Sequence, residues 1–120
     1  GGDRIYRKTV ALSTIASPEY NASMPAILKN AIDWTTRTEQ GTAGSRIVYG
    51  GKKFAIMSAS PGKQGGARSL AHLRSVIDDA HGTVIEREVV VPKAHEVFSD
   101  AEALERVRAD LRAEMEELLR

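Results

Sequence analysis

Twice along this chain a short apolar run ends in a polar turn that opens at once into an amphipathic helix, and that repeat limits the possible folds more than any other feature. The first run lies between Thr9 and Ser17, contains Val10, Ala11, Leu12, Ile15 and Ala16, and is closed by Pro18. Its length suits a buried strand better than a helix. The turn "PEYNAS" follows. Ser23 can cap a helix with Pro25 in its first turn, and Ile27, Leu28, Ala31, Ile32 and Trp34 recur at helical spacing from about Met24 to Thr36. The second run, Lys53 to Ser60, leads into "PGKQGG" and then a helix whose face is Leu70, Leu73, Ile77 and Ala80, which His81 and Gly82 can terminate.

Between these units "TRTEQGTAGSRIVYGGKK" is polar, holds four of the ten glycines and shows no sustained period, so it reads as a connecting loop. The β-branched stretch "TVIEREVVVP" gives a third strand region closed by Pro92. The last 22 or so residues form the plainest helix. Ser99 and Glu102 make a capping box, the apolar stripe is Leu104, Val107, Leu111, Met115 and Leu118, and Glu102, Arg106, Asp110 and Glu114 belong to a solvated face of mixed sign. Strands separated by helices pair in parallel through right-handed crossovers, which gives an α/β fold with a sheet covered on both faces.

Composition narrows the function. A chain of 120 residues has room for one domain, 1–120. Its net charge of +1 supplies no global field to draw in nucleic acid or a membrane surface. No cysteine is present, which removes disulfides, thiolate nucleophiles and sulfur-ligated metals, and leaves a reducing cytoplasm as the expected home. No apolar run approaches the ~20 residues of a membrane span, and the start "GGDRIYRK" is too polar for a secretory signal. His72, His81 and His95 are too scattered for a metal site, and each reads as a surface or helix-end residue.

The chemistry is expected at one edge. In open α/β sheets ligands settle beyond the carboxyl ends of the strands, where the loops are free and helix N-termini point. "PEYNAS" and "SASPGKQGG" both leave strand ends there, so one crevice can be lined by both. Tyr20 offers an aromatic face and Asn21 offers donors and acceptors. Gly62, Gly65 and Gly66 let backbone approach a ring edge without a Cβ in the way. Such a lining suits a planar, amphipathic ligand such as a flavin ring. Read as residues alone, Tyr20 and Asn21 are still better explained by turn chemistry that simply ends a strand. "PGKQGG" has neither dinucleotide-fingerprint nor P-loop spacing.

The segments "SPEYNASMPAILKNAIDW", "GKKFAIMSASPGKQGGARSLAHLR" and, more loosely, "VVVPKAHEVFS" resemble the NAD(P)H-dependent FMN reductase family, of flavodoxin-like fold, which includes quinone, azo-dye and chromate reductases. The resemblance spans most of Ser17 to Ser99. It implies a three-layer sandwich around a parallel sheet, a bound FMN that takes hydride from NAD(P)H, and a small-molecule electron acceptor. It further implies a homo-oligomer, dimer or tetramer. Carried over residue by residue, Pro18, Glu19, Tyr20, Asn21 and Ser23 form one cofactor-binding group, and Ser60, Pro61, Gly62, Gly65 and Gly66 the other. No side chain is assigned as catalytic or as a metal ligand, because the flavin carries the hard chemistry.

One departure is large. Family members open with a strand and a phosphate-cradling loop of glycine, serine, arginine and asparagine, and a further helix-strand-helix section precedes their PEYN turn. Here PEYN begins at residue 18 and "GGDRIYRKTVALSTIA" has no such character. Of the flavodoxin-like strand order 2-1-3-4-5, only the C-terminal strands 3, 4 and 5 have counterparts. The first strand is therefore expected at an open edge. That edge fits a fragment, a shortened variant, or a chain whose edge is covered by a partner or by its own residues 1–8. Flavin-binding enzyme and flavin-free scaffold or association module are the two functional expectations. Arg68 is expected either at a dinucleotide phosphate or, like Arg74, at a subunit contact. Trp34 belongs in the core or at a subunit interface.

Overall fold

The computed structural model describes residues 12–37 and 49–120. Val10, Ala11, residues 1–8 as an edge cover, and most of the connecting loop lie outside the described residues. Strand β1 (Leu12–Ala16) is followed by helix α1 (Ala26–Thr35), β2 (Lys53–Ala59), α2 (Ala67–Asp79), β3 (Thr83–Val84), β4 (Val89–Val91), the short α3 (Ala94–Val97) and α4 (Ala101–Leu118). Among the described residues, the four strands pair only in parallel. β2 is central, β1 lies on one side of it, and β3 and β4 both lie on the other. Among the described residues this is a flavodoxin-like α/β arrangement with counterparts of the C-terminal strands, as the resemblance implied.

β2 alternates between two cores, as a strand between two helix layers must. Phe54 and Ile56 pack with Leu70, Leu73 and Ile77 of α2 and Ile32 of α1. Ala55 clusters with Leu118 and Met115 of α4, and Met57, Ala59, Val107 and Leu111 pack around Val89, Val91 and Ala94. Leu70, Leu73 and Ile77 are fully buried, each worth roughly 1.5–3 kcal/mol of burial. β1 is only half covered. Ile15 packs on the α1–α2 core, whereas Leu12, Thr14 and Ala16 are exposed on the other face, because α4 lies over β2 and β4 and stops short of β1.

The third strand is one strand interrupted. Thr83 pairs with Lys53, an offset of thirty positions, while Val89 pairs with Met57, an offset of thirty-two, so residues 85–88 hold two more residues than the segment of β2 they pass. The bulge leaves carbonyls without ladder partners, and Arg74 takes them. Its guanidinium donates to the carbonyls of Val84, Ile85 and Glu86 at 3.4, 3.0 and 3.4 Å, and to Glu88 Oε2 at 3.2 Å. Arg74, expected at a subunit contact, makes these intramolecular bonds.

Helix ends differ from expectation in instructive ways. Pro25 is the N-cap of α1 and makes no side-chain cap bond; Ser23 is engaged elsewhere. Asp100, not Ser99, caps α4. Its Oδ1 accepts from the N–H groups of Glu102 and Ala103, while the Ser99 hydroxyl donates to the carbonyls of His95 and Glu96 and so closes α3. α2 ends as expected at His81 and Gly82. His81 takes a left-handed φ of 72°, and the N–H groups of His81 and Gly82 turn back to the carbonyls of Asp78 and Ile77, a Schellman closure.

Two expectations about helix faces are corrected. On α1, Ile32 is buried and Leu28 half-buried, but Ile27 is 81% and Trp34 70% exposed; with exposed Ala31 they form a second apolar stripe pointing away from the sheet. On α4, Glu114 is not on the solvated face. It is fully buried, at the i+3 position from Leu111 and i−4 from Leu118, inside the stripe that packs on the sheet.

Candidate flavin site

The first turn is built by backbone geometry. The N–H of Tyr20 bonds the carbonyl of Ser23 at 2.8 Å, and the N–H of Ser23 returns to the carbonyl of Tyr20 at 3.1 Å. Asn21 and Ala22 between them have φ of 51° and 67°, the positive values that a type I′ turn requires at both central positions. Asn tolerates that region; Ala does so at a cost of about 1–2 kcal/mol. The turn holds Tyr20 out at its tip, 60% exposed.

Helix α2 pins the turn at three points. Glu19 Oε2 accepts from Arg68 Nη2 at 2.7 Å and from Nε at 3.2 Å, and Glu19 Oε1 accepts from the N–H of Ser69 at 3.1 Å. The Ser69 hydroxyl donates to the carbonyl of Pro18 at 3.0 Å. His72 Nδ1 lies 2.7 Å from Ser23 Oγ. Arg68 is thus committed to Glu19. Its guanidinium is the main reason that the Glu19 carboxyl titrates below its ordinary range. Beside the two expected roles for Arg68, at a dinucleotide phosphate or a subunit contact, stands this bond to Glu19, which leaves its side chain about half exposed.

The same geometry decides what the N-terminus of α2 can bind. Glu19 occupies the place where an anion would sit, and the N–H of Ala67 is taken by the carbonyl of Gln64. A flavin phosphate is not received there.

The second turn is docked on the end of the third strand. The N–H of Ser60 bonds the carbonyl of Val91, and the N–H groups of Lys93 and Ala94 bond the carbonyls of Gly62 and Ser60. The Ser60 hydroxyl accepts from the N–H of Gly62 at 3.1 Å. The three glycines then separate. A Cβ on Gly65 would lie 2.6 Å from the Pro92 nitrogen, and one on Gly66 would lie 1.9 Å from Ser58 Oγ; both residues have positive φ. These two are glycine because the chain's own strands press against them, a different reason from the ring approach inferred from sequence. Gly62 has only Ser60 Oγ nearby, at 3.5 Å, and with Pro61 it is exposed.

The two turns therefore share one rim. Glu19 Cβ stands 3.9 Å from the Cβ position of Gly66, so the PEYN turn abuts the glycine turn at the carboxyl ends of β1 and β2. Under the contact lies Ser58 Oγ, buried and without a hydrogen-bond partner, at a strand end where polar groups normally find one. Tyr20 and Asn21 of the first turn and Pro61 and Gly62 of the second are exposed. From the tip of the first turn a groove of about 660 Å³ runs back between α1 and α2, lined in part by Tyr20, Met24, Lys29, His72 and Val76. His81 and His95 lie elsewhere. Among the described residues no three of His, Asp and Glu converge as a metal would require.

The sequence pattern of NADPH-dependent FMN reductases matches residues 13–96. The chain belongs to that family. An NAD(P)H-dependent FMN reductase of Pseudomonas aeruginosa is 38% identical over 106 residues, 82% of this chain and 54% of that protein. A 2-hydroxy-1,4-benzoquinone reductase of a Burkholderia species is 47% identical over 62 residues, 52% of this chain and 31% of its own length. The FMN reductase fold is matched structurally by the flavoenzyme NAD(P)H:(acceptor) oxidoreductase FerB of Paracoccus denitrificans, with a TM-score of 0.71 and 26% identity, covering 97% of this chain and 64% of that one. This family member thus spans about half the length of the FMN reductase it matches over most of itself. Among its described residues no helix is long and apolar enough to cross a membrane.

Family membership gives the PEYN clamp a testable consequence. Glu19→Gln removes the charge that Arg68 binds, and flavin affinity is expected to fall about tenfold, the scale of one lost charge-assisted hydrogen bond. The pairing is also lost as pH drops through the lowered Glu19 pKa, below its ordinary value of 4.5, because protonated Glu19 no longer carries charge. Flavin fluorescence titrations of parent and variant between pH 3.5 and 7 check both statements. Equal affinities throughout would remove the clamp from the account.

Proposed function

We propose that this chain holds the ring of FMN at the rim shared by the two turns and serves an NAD(P)H oxidoreductase whose electron acceptors are small molecules, quinones first, then azo compounds, oxidised metals and free flavins. The observation that carries the reading is the meeting of the turns: Pro18 and Glu19 bonded to the first turn of α2, directly after Gly66. Family membership and the named activities of the relatives support it.

The chain's own residues place and exclude. Tyr20 and Asn21 present a ring face and an amide, and Ser60, Pro61 and Gly62 present a second edge with little side-chain bulk. Glu19, Ser23, Gly65 and Gly66 hold the two edges in register. Held by these two edges, FMN would supply the redox chemistry, hydride acceptance from NAD(P)H and two-electron delivery to the acceptor. The cofactors of the proposed reaction are accordingly FMN and NAD(P)H.

A homo-oligomer, a cytoplasmic setting and a single domain over 1–120 belong to the same proposal. The exposed stripe Ile27, Ala31 and Trp34 on α1 supports self-association, since apolar helix faces of this kind are usually covered. The same stripe is what favours the second reading, a flavodoxin-like association module that holds no flavin. Purified protein mixed with FMN and passed through a desalting column separates the two. The reductase reading predicts a retained flavin spectrum and NAD(P)H oxidation on adding a quinone. A colourless protein that gains no NAD(P)H oxidation from added FMN supports the module instead.

A further inference from the structure

Glu114 is the one fully buried carboxylate among the described residues, and both of its oxygens lack a hydrogen-bond partner. It faces the bulge between β3 and β4. From that bulge come Glu88, already held by Arg74, and Arg87; from its own helix comes Glu117, which Arg87 approaches at 3.7 Å. β4 is three valines, and Lys53 of β2 is turned to the carbonyl of Arg120. On α3, His95 and Glu96 are exposed and face each other. Two carboxylates and one already engaged guanidinium therefore surround an acid that has nothing to donate to or accept from.

We propose that Glu114 is a proton-controlled latch: neutral, it stays inside the contact between α4 and the sheet; ionised, it swings out toward Arg87 and loosens the bulge 85–88. Burial and the two like charges both oppose the ionised form, and they push its titration up to about 7, which puts the change within the neutral range. The loosening reaches the glycine turn through direct contacts. β4 follows the bulge at once, the Val91 carbonyl holds the N–H of Ser60, and Pro92 presses on Gly65. This last link rests on the flavin reading; the latch itself does not.

Backbone amide exchange at pH 6 and pH 8, corrected for the intrinsic pH dependence, tests it. In the parent protein, amides of 85–91 and 114–120 are expected to lose at least about tenfold protection at the higher pH, while those of α2 keep theirs. Glu114→Gln is expected to show no such difference. Should that variant fail to fold, carboxyl carbon shifts of Glu114 in the parent decide: a transition near neutral pH supports the latch, and a carboxylate already ionised at pH 6 overturns it. Equal protection at both pH values overturns it too. FMN affinity measured on the same samples is expected to weaken from pH 6 to 8 in the parent only. FMN binding absent at both pH values, with the exchange change intact, would count against the flavin reading and leave the latch standing; FMN binding that is equal at both would confine the latch to the bulge.

Discussion

Gly66→Val is expected to unfold the protein or leave it barely stable. Gly66 has φ of +92°, and a Cβ there would stand 1.9 Å from Ser58 Oγ and 2.7 Å from Ser58 Cβ. The backbone conformation alone costs a β-branched residue about 1–2 kcal/mol or more. Forcing atoms against Ser58 at the carboxyl end of β2 adds about 1–3 kcal/mol. A domain with roughly 5–15 kcal/mol in hand loses a large part of its stability. Ser58→Gly in the same chain should return the steric part and leave the conformational part, so a double-mutant cycle in urea measures each. Gly62→Ala is the contrast: no close neighbour is struck, stability should change by less than about 0.5 kcal/mol, and any loss of flavin affinity then reports on the ring edge. A Gly66→Val protein as stable as its parent would mean that the packing of the glycine turn on β2 is wrong.

The second large effect is a gain. Glu114→Leu is expected to stabilise the protein by about 1–3 kcal/mol at pH 8, because an apolar residue at that position removes an ionisable group that the interior cannot solvate. The sign of the pH dependence follows from the raised titration. Between its ordinary value of 4.5 and about 7, the folded state keeps a proton that the unfolded chain has released. The favourable contribution is complete below the lower value and is lost as pH rises through the higher one, by on the order of 3 kcal/mol in all. The difference in stability between the variant and its parent should therefore widen from pH 5 to pH 8. A constant difference would show that Glu114 finds a partner in the folded state.

Much of this was legible in the residues. The strand-turn-helix repeat gave parallel pairing around β2, and the PEYN and glycine segments pointed to one rim. What escaped was decided by three-dimensional neighbours. Glu114 has the composition of a solvated face, yet its spacing from Leu111 and Leu118 places it in the packed stripe; position in the helical period was the available signal. Arg74 gave no sign of its role, since the bulge it stitches depends on a register shift that only pairing reveals. Ser99 and Glu102 have capping-box spacing, but Asp100 offers a carboxylate one residue nearer the helix and wins the cap. Gly65 and Gly66 are glycine because Pro92 and Ser58 press against them, and that close packing between separate segments has no signature in the local sequence.

The proposal that two turns meeting at one rim hold a single flat ring is open to amide chemical-shift mapping during an FMN titration. Concerted, saturable shifts are expected in residues 19–23 and 60–64, with one dissociation constant and little change on α4. Shifts confined to one turn, or centred in the groove between α1 and α2, would contradict it.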